Sequence, residues 1–281
     1  MEVVIVVHPA RVNHDRQEVI AMGFFDGVHL GHQALLQQAK TIANDTGAIF
    51  SVMTFDPHPQ EVLNEEKRLF ITPLPEKILK MRDLGVEKLY IVRFDHNFAS
   101  LEPDEFIEQY IIGFHVSHVV VGFDFTFGKK AKGTVKDLKQ AADQGHFGLT
   151  VIPKKTYQGQ KISSTLIRQL IRKGQIEEIP YCLGTHYRLK AVIERGRDNS
   201  CSLQPLWNFI LPESGSYLVE FIQKEKRHLA QLDIFYQGTE NRLLFSGDEP
   251  DWKGEWEVVF LNRLSENQRS SMYEEGKMGG R

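Results

Sequence analysis

Cysteine is nearly absent: Cys182 and Cys201 are the only two in 281 residues. They stand at no familiar metal-ligand spacing, which excludes a disulfide framework and a thiolate-rich metal centre and fits the reducing cytoplasm. No apolar run approaches the roughly eighteen residues of a membrane helix. The apolar start, Met1 to Val7, is too short to span a bilayer and lacks the basic opening of a secretory signal, so no membrane role is expected. A large excess of one charge is also missing. The formal net charge of −3 argues against a surface devoted to nucleic acid. There is no internal repeat and no low-complexity segment. With 41% hydrophobic and 25% charged residues, the chain has the composition of a globular protein and the length of two domains.

Against this ordinary background one stretch stands out, Gly23 to His32, reading Gly-Phe-Phe-Asp-Gly-Val-His-Leu-Gly-His. An apolar run, Val19 to Phe25, enters it. A helical pattern with Leu35, Ala39 and Ile42 on one face leaves it, and Gly47 stands as the C-terminal cap. Such a strand, loop and helix junction aims backbone N–H groups and the positive end of the helix dipole at one point, which suits an anion. His29 and His32, three residues apart, fall on one side of that helix and add donors whose charge can follow that of a phosphate.

Further apolar strands are expected at Ala48 to Phe55, Val86 to Phe94, Val116 to Phe123 and Phe147 to Pro153. Helices are expected between them: Pro75 to Leu84 before Gly85, Pro103 to Ile112 before Gly113, and one opened by a Thr134/Asp137 capping box and ended at Gly145. Short apolar strands alternating with helices predict a Rossmann-like α/β domain with a parallel sheet, whose ligands collect beyond the carboxyl ends of the strands. From Tyr187 onward the pattern becomes strand after strand: Tyr187 to Glu194, Ser216 to Ile222, His228 to Tyr236, Asn241 to Phe245 and Glu255 to Leu264. This predicts a smaller all-β, barrel-like domain. Residues 1–184 and 185–281 are the expected domains, with Ser265 to Arg281 frayed.

Three more stretches sit where this architecture places a ligand. Asp56-Pro57-His58-Pro59 is a stiff loop after the second apolar strand, with Asp56 and His58 able to line the same crevice. Gly122-Phe123-Asp124-Phe125-Thr126-Phe127-Gly128 follows the fourth and offers aromatic faces with polar groups for the edge of a flat ring. Ser163-Ser164-Thr165 opens a helix, with Ser163 or Ser164 as its N-cap, and Arg168 follows in the first turns. Hydroxyls and a guanidinium at a helix start form a clamp for phosphate oxygens. The segment from Lys129 to Lys173 holds eleven Lys and Arg against two acids, a field that draws in a polyphosphate.

Together these four stretches, in this order across Val19 to Gly184, resemble the prokaryotic FAD synthetase module, the FMN adenylyltransferase half of the bifunctional riboflavin kinase/FAD synthetase family. The resemblance implies that Gly23, Phe25, Asp26, Gly27, His29, Gly31 and His32 bind ATP, and that Ser163, Ser164, Thr165 and Arg168 grip its triphosphate. It also implies that Gly122, Asp124, Phe125, Phe127 and Gly128, with Asp56 and His58 in the same crevice, shape the flavin side. The implied reaction is FMN + ATP to FAD + pyrophosphate with Mg²⁺, with His29, His32 and Arg168 as the catalytic residues and no metal-ligating residue assigned.

The second half departs from that family. Where a riboflavin kinase module carries Gly-x-Pro-Thr-Ala-Asn for Mg-ATP, this chain reads Gly196-Arg197-Asp198-Asn199-Ser200-Cys201-Ser202. Glu240 stands at the place of the family's catalytic glutamate but alone cannot hold metal-ATP, so a solvated strand end is expected there, and Trp252-Lys253-Gly254 keeps the family's flavour. A degenerate kinase module, retained as a structural or regulatory appendage, is the expectation. The rivals are a fully bifunctional enzyme with Asn199 or a nearby hydroxyl at the metal, a cytidylyltransferase or pantetheine-phosphate adenylyltransferase, and a non-catalytic flavin or nucleotide sensor. The Gly122 to Gly128 loop and the β-domain count against the second, and the complete transfer site against the third.

Overall fold

The computed structural model describes residues 1–9, 16–195, 201–237, 240–246 and 254–265. It divides into two compact units, Met1–Arg68 with Thr72–Ile162, and Leu69–Ile71 with the chain from Ser163. The change from helices to strands near Gly184 is therefore not where the compact units divide.

The first unit is built on a six-stranded parallel sheet of β1 (Glu2–Val6), β2 (Glu18–Met22), β3 (Ile49–Asp56), β4 (Lys88–Arg93), β5 (Val116–Gly122) and β6 (Gly148–Ile152), in the order β1-β4-β3-β2-β5-β6. Every residue of β2 is buried, as a central strand covered on both faces requires. Two apolar clusters lie in this unit. One packs Leu35, Leu36 and Ala39 of α1 (Leu30–Thr46) and Met81 of α2 (Leu74–Asp83) with Val19 and Val52. The other gathers Phe98, Phe106, Tyr110 and Phe114 with Ile20 and Tyr90.

The expected strands and helices of this unit are present within a residue or two of their expected ends, except that the strand expected over Val19 to Phe25 stops at Met22, where the tightly wound loop begins. Gly47 caps α1 at φ 66°, and Thr134 with Asp137 forms the capping box of α4 (Val135–Asp143). Two further features differ. β1, in sequence only a short apolar run, forms an edge strand whose Ile5 is exposed. The single helix expected over 103–112 is α3 (Pro103–Ile107) continued as a π-helical turn, Glu108–Ile112. Gly113 follows it where a Cβ would lie 2.8 Å from the Gln109 carbonyl oxygen.

In the second unit α5 (Ser164–Arg172) buries Ile167, Arg168, Leu170 and Ile171. Leu69–Ile71 joins this unit through hydrogen bonds of Phe70 to the backbone at Asn208 and Ile210. The barrel is closed by β7 (Arg188–Arg195), β8 (Cys201–Pro205), β9 (Gly215–Gln223), β10 (Lys226–Gln237), β11 (Glu240–Ser246) and β12 (Glu255–Arg263), in the order β7-β8-β11-β10-β9-β12, with β12 returning to β7. Alternate residues, Tyr217, Val219 and Phe221 facing Ala230, Leu232 and Ile234, fill its interior. β8 has no counterpart among the expected strands. Residues 196–200, Trp252 and Lys253, and 266–281 lie outside the described residues, so the expectations placed on them do too.

Candidate active site

In the sheet order β3-β2-β5, the chain leaves β2 through α1 toward β3 on one side and pairs with β5 on the other. That reversal is a topological switch point, and three loops leave the carboxyl ends of these three parallel strands. They are the Gly23–His32 loop after β2, Asp56–His58 after β3 and Gly122–Gly128 after β5.

The first loop is wound tightly. Phe25 (φ 57°), Gly27 (φ 87°) and Val28 (φ 46°) all sit in the left-handed region, a conformation that costs free energy for the two non-glycine residues and is held here by packing. Phe25 is wholly buried, and its ring lies 3.1 Å from where a Cβ on Gly23 would stand. Asp26 is buried too, its Oδ1 accepting the Thr72 N–H at 3.0 Å. The side chains of Phe25 and Asp26, expected to bind ATP, are thus both buried within the fold of the loop.

His29 is the N-cap of α1, with its Nδ1 accepting the His32 N–H at 3.2 Å. That bond assigns the ring proton to Nε2, which is left as a donor. The His32 ring stacks on His29 at 3.6 Å and 14° and meets Phe25 edge-on at 5.1 Å. A Cβ on Gly31 would come within 3.1 Å of the His29 ring, which would have to shift by a few tenths of an ångström to admit it. The His32 Nδ1 is buried without a hydrogen-bond partner in the protein. An orphaned polar atom at a helix N-terminus, beside first-turn N–H groups that have no intrahelical acceptor, is what a ligand oxygen would satisfy.

The expected donors with a variable charge are neutral at pH 7. Burial first, then the Lys161 charge, lowers His29 to about 4. Burial, then His29, Lys77 and Lys161, holds His32 well below its usual value. Only an anion arriving beside them would favour their protonated forms.

Lys77 on α2 belongs to none of the sequence motifs. It is buried, donates to the Phe24 carbonyl at 2.7 Å and to Thr54 Oγ1 at 3.3 Å, and lies 4.1 Å over the Phe24 ring. Burial lowers it to about 8, against the opposing charges of Asp26 and Asp56. The one signal for it in the sequence is a lysine four residues before Met81, on the face of α2 that turns inward.

Asp56 is half-buried and its carboxyl is raised, by burial first and then by Glu61, against the Lys77 charge. His58 caps the short helix Pro59–Leu63, accepting the Gln60 N–H at 3.1 Å, and meets the Phe24 ring edge-on at 4.2 Å. In the third loop the aromatic roles differ from expectation. Phe127 is buried against Phe106 and Phe125, with no room for a Cβ on Gly133 beside it, so it is core rather than a platform. Phe125 is half-buried, and Phe123 is the exposed ring, with Lys161 4.8 Å above its face and paired to Asp124. Gly128 (φ 68°) packs so closely on Pro103 that a Cβ would lie 3.1 Å from its backbone.

Ser163, Ser164, Thr165 and Arg168 belong to the second unit. Ser163 is the N-cap of α5, its Oγ accepting the Leu166 N–H at 3.2 Å. Arg168 is buried, and its Nη1 donates to the Leu69 carbonyl at 2.6 Å. The guanidinium is thereby oriented by its own unit, a contact with no signal in the sequence.

The family described as FAD synthetase matches residues 11–166. A Listeria monocytogenes protein named bifunctional riboflavin kinase/FMN adenylyltransferase is 40% identical over 85% of this chain and 79% of its own. A Bacillus subtilis protein of the same name is 42% identical over 78% and 73%. A second Listeria monocytogenes protein, named FAD synthetase, is 33% identical over 72% and 80%. Among solved structures, a Streptococcus pneumoniae protein titled a macrolide-efflux protein superposes with a TM-score of 0.86 at 27% identity, covering 99% of this chain and 98% of that one. No helix among the described residues here is long and apolar enough to cross a membrane.

Proposed function

Because this chain belongs to the FAD synthetase family, we propose that it is an FMN adenylyltransferase, a nucleotidyltransferase that moves AMP from ATP onto the phosphate of FMN to give FAD and pyrophosphate. The observation that carries this is the stacked, neutral His29–His32 pair at the N-terminus of α1, with an orphaned ring nitrogen, at the switch point of the sheet.

A phosphate oxygen of FMN attacks the α-phosphorus of ATP in line; the new P–O bond forms as the bond to the bridging oxygen breaks, and pyrophosphate leaves. The attacking group is already an anion, so the protein need supply no nucleophile or base. Its work is to position the reactants and to neutralise charge that shifts onto the leaving group. His29 through Nε2–H, and His32, are assigned to the α-phosphate and the departing pyrophosphate. Ser163, Ser164, Thr165 and Arg168 are assigned to the β and γ phosphates. Gly122, Asp124, Phe125 and Gly128, with Asp56 and His58, shape the flavin side, and the exposed face of Phe123 suits a flat ring better than the buried Phe127. Mg²⁺ belongs to the substrate. It would enter with ATP, taking phosphate and water oxygens, and no residue of the chain is assigned to it. The two-cysteine composition fits a cytoplasmic enzyme.

The barrel is proposed to lack riboflavin kinase activity, since the Pro-Thr-Ala-Asn segment is missing from its early sequence. The bifunctional reading is favoured by the Listeria and Bacillus relatives of that name, whose similarity spans 85% and 78% of this chain. Incubating the pure protein with Mg-ATP and either FMN or riboflavin, then resolving the flavins, separates the two. FAD from FMN and no product from riboflavin is expected; FMN from riboflavin would restore the bifunctional enzyme, and no product from either would leave a sensor.

A further inference from the structure

We propose that Lys77 is a positioning residue of the transfer site, holding the Gly23–His32 loop from behind through the carbonyl of Phe24; this rests on the adenylyltransferase reading above. An ammonium group buried to 2% exposure is costly to keep on a helix face, and its hydrogen bonds show what it is spent on. The Phe24 carbonyl accepts from Lys77 Nζ at 2.7 Å and from Thr54 Oγ1 at 3.0 Å, and the two donors are themselves 3.3 Å apart. Because the trans peptide is planar, pinning this carbonyl inward turns the N–H of Phe25 to the opposite side. Phe25 is also where the left-handed stretch through Val28 begins. The peptide that sets the direction of the loop is therefore fixed by α2 and β3 together.

The charge of Lys77 contributes beyond these hydrogen bonds. The ammonium lies 4.1 Å over the Phe24 ring, whose edge contact with His58 at 4.2 Å ties the loop after β2 to the loop after β3. Its charge is set against Asp26 and Asp56 and also acts on His32. Lys77 is thus placed to keep His32 in register and neutral until a phosphate arrives, without touching that phosphate.

The test is steady-state FMN adenylylation by the full-length protein, with melting temperature as the control for folding. Lys77→Met is expected to lower kcat roughly tenfold to a hundredfold, the range for a hydrogen bond to a charged group, with KM for FMN unchanged. Thr54→Val, which keeps the ammonium, is expected to lower kcat about threefold to tenfold. Because both act on one carbonyl, the double variant should lose clearly less than the product of the two single losses. Wild-type kcat in Lys77→Met, or losses that multiply, would overturn the proposal. If Lys77→Met does not fold, wild-type kcat in Thr54→Val overturns it alone. An inactive wild-type protein would instead defeat the adenylyltransferase reading, and that is seen before any variant is made.

Discussion

The α/β unit and the barrel differ in what they bury. Under the carboxyl edge of the parallel sheet lie Asp26, His29, Thr54, Thr72 and Lys77, all nearly inaccessible and all tied to the loop after β2. In the barrel the buried polar residues among those described are Ser216 and Gln231, and both donate to Asp233 on the same pair of strands. Each buried polar group costs free energy unless it is satisfied. The barrel pairs these two donors within one hairpin, although Gln231 Oε1 is left without a hydrogen-bond partner there. The α/β unit gathers charges and imidazoles at one edge and leaves a histidine nitrogen without an acceptor or donor, as a site awaiting a ligand does. The difference teaches that the density of titratable groups, more than the presence of a fold, marks where chemistry is done.

The comparison can be broken in several places. The largest effect is expected for His32→Ala, which should lower kcat for FMN adenylylation by about 100- to 1,000-fold, or about 2.7 to 4 kcal/mol, in a protein that still folds. Near-normal turnover would remove the site from the α/β unit. Next comes the pH dependence of stability. His29 titrates at about 4 when folded and near 6.5 otherwise, with burial the main cause. Between those values the unfolded chain binds the extra proton, so stability is full above pH 6.5 and is lost as pH falls through 4. The share due to His29 is about 3 kcal/mol. Urea titrations across this window should show a flatter acid limb in His29→Gln, and an unchanged limb would show the imidazole is not held neutral. Arg168→Lys keeps the charge but loses the planar fork, and should raise KM for ATP about tenfold while the Tm, which includes the bond to Leu69, falls modestly. The smallest effect sharpens the contrast from the other side: Glu240→Gln at the start of β11 should leave FAD formation within about twofold of wild type.

Much of this architecture is legible in the amino-acid sequence. Periodicity and the Pro and Gly punctuation locate β2 to β6 and the helices between them, because a buried parallel strand is a short apolar run and a helix end needs a cap. β1 escapes because five residues on an edge carry no second signal. β8 escapes because Cys201–Pro205 mixes polar and apolar residues without a clear alternation. At the site, the residue types are legible and their orientations are not. Nothing in Phe-x-Phe says which ring turns inward, and burial of Phe127 with exposure of Phe123 is decided by tertiary packing. The bond from Arg168 to Leu69 spans 99 residues of sequence and leaves no local trace. Lys77 is hidden by a sound expectation, that lysines on a helix face water.

The measurement that bears most directly on the Gly23–His32 loop as an adenylyl-transfer site follows the label through one turnover. With FMN and ATP labelled at the α-phosphate, the label should pass into FAD, and with ATP labelled at the γ-phosphate it should leave as pyrophosphate, both at rates lowered about 100- to 1,000-fold by His32→Ala. Label from the γ-phosphate appearing in a flavin or as inorganic phosphate, with none from the α-phosphate entering FAD, would contradict the account.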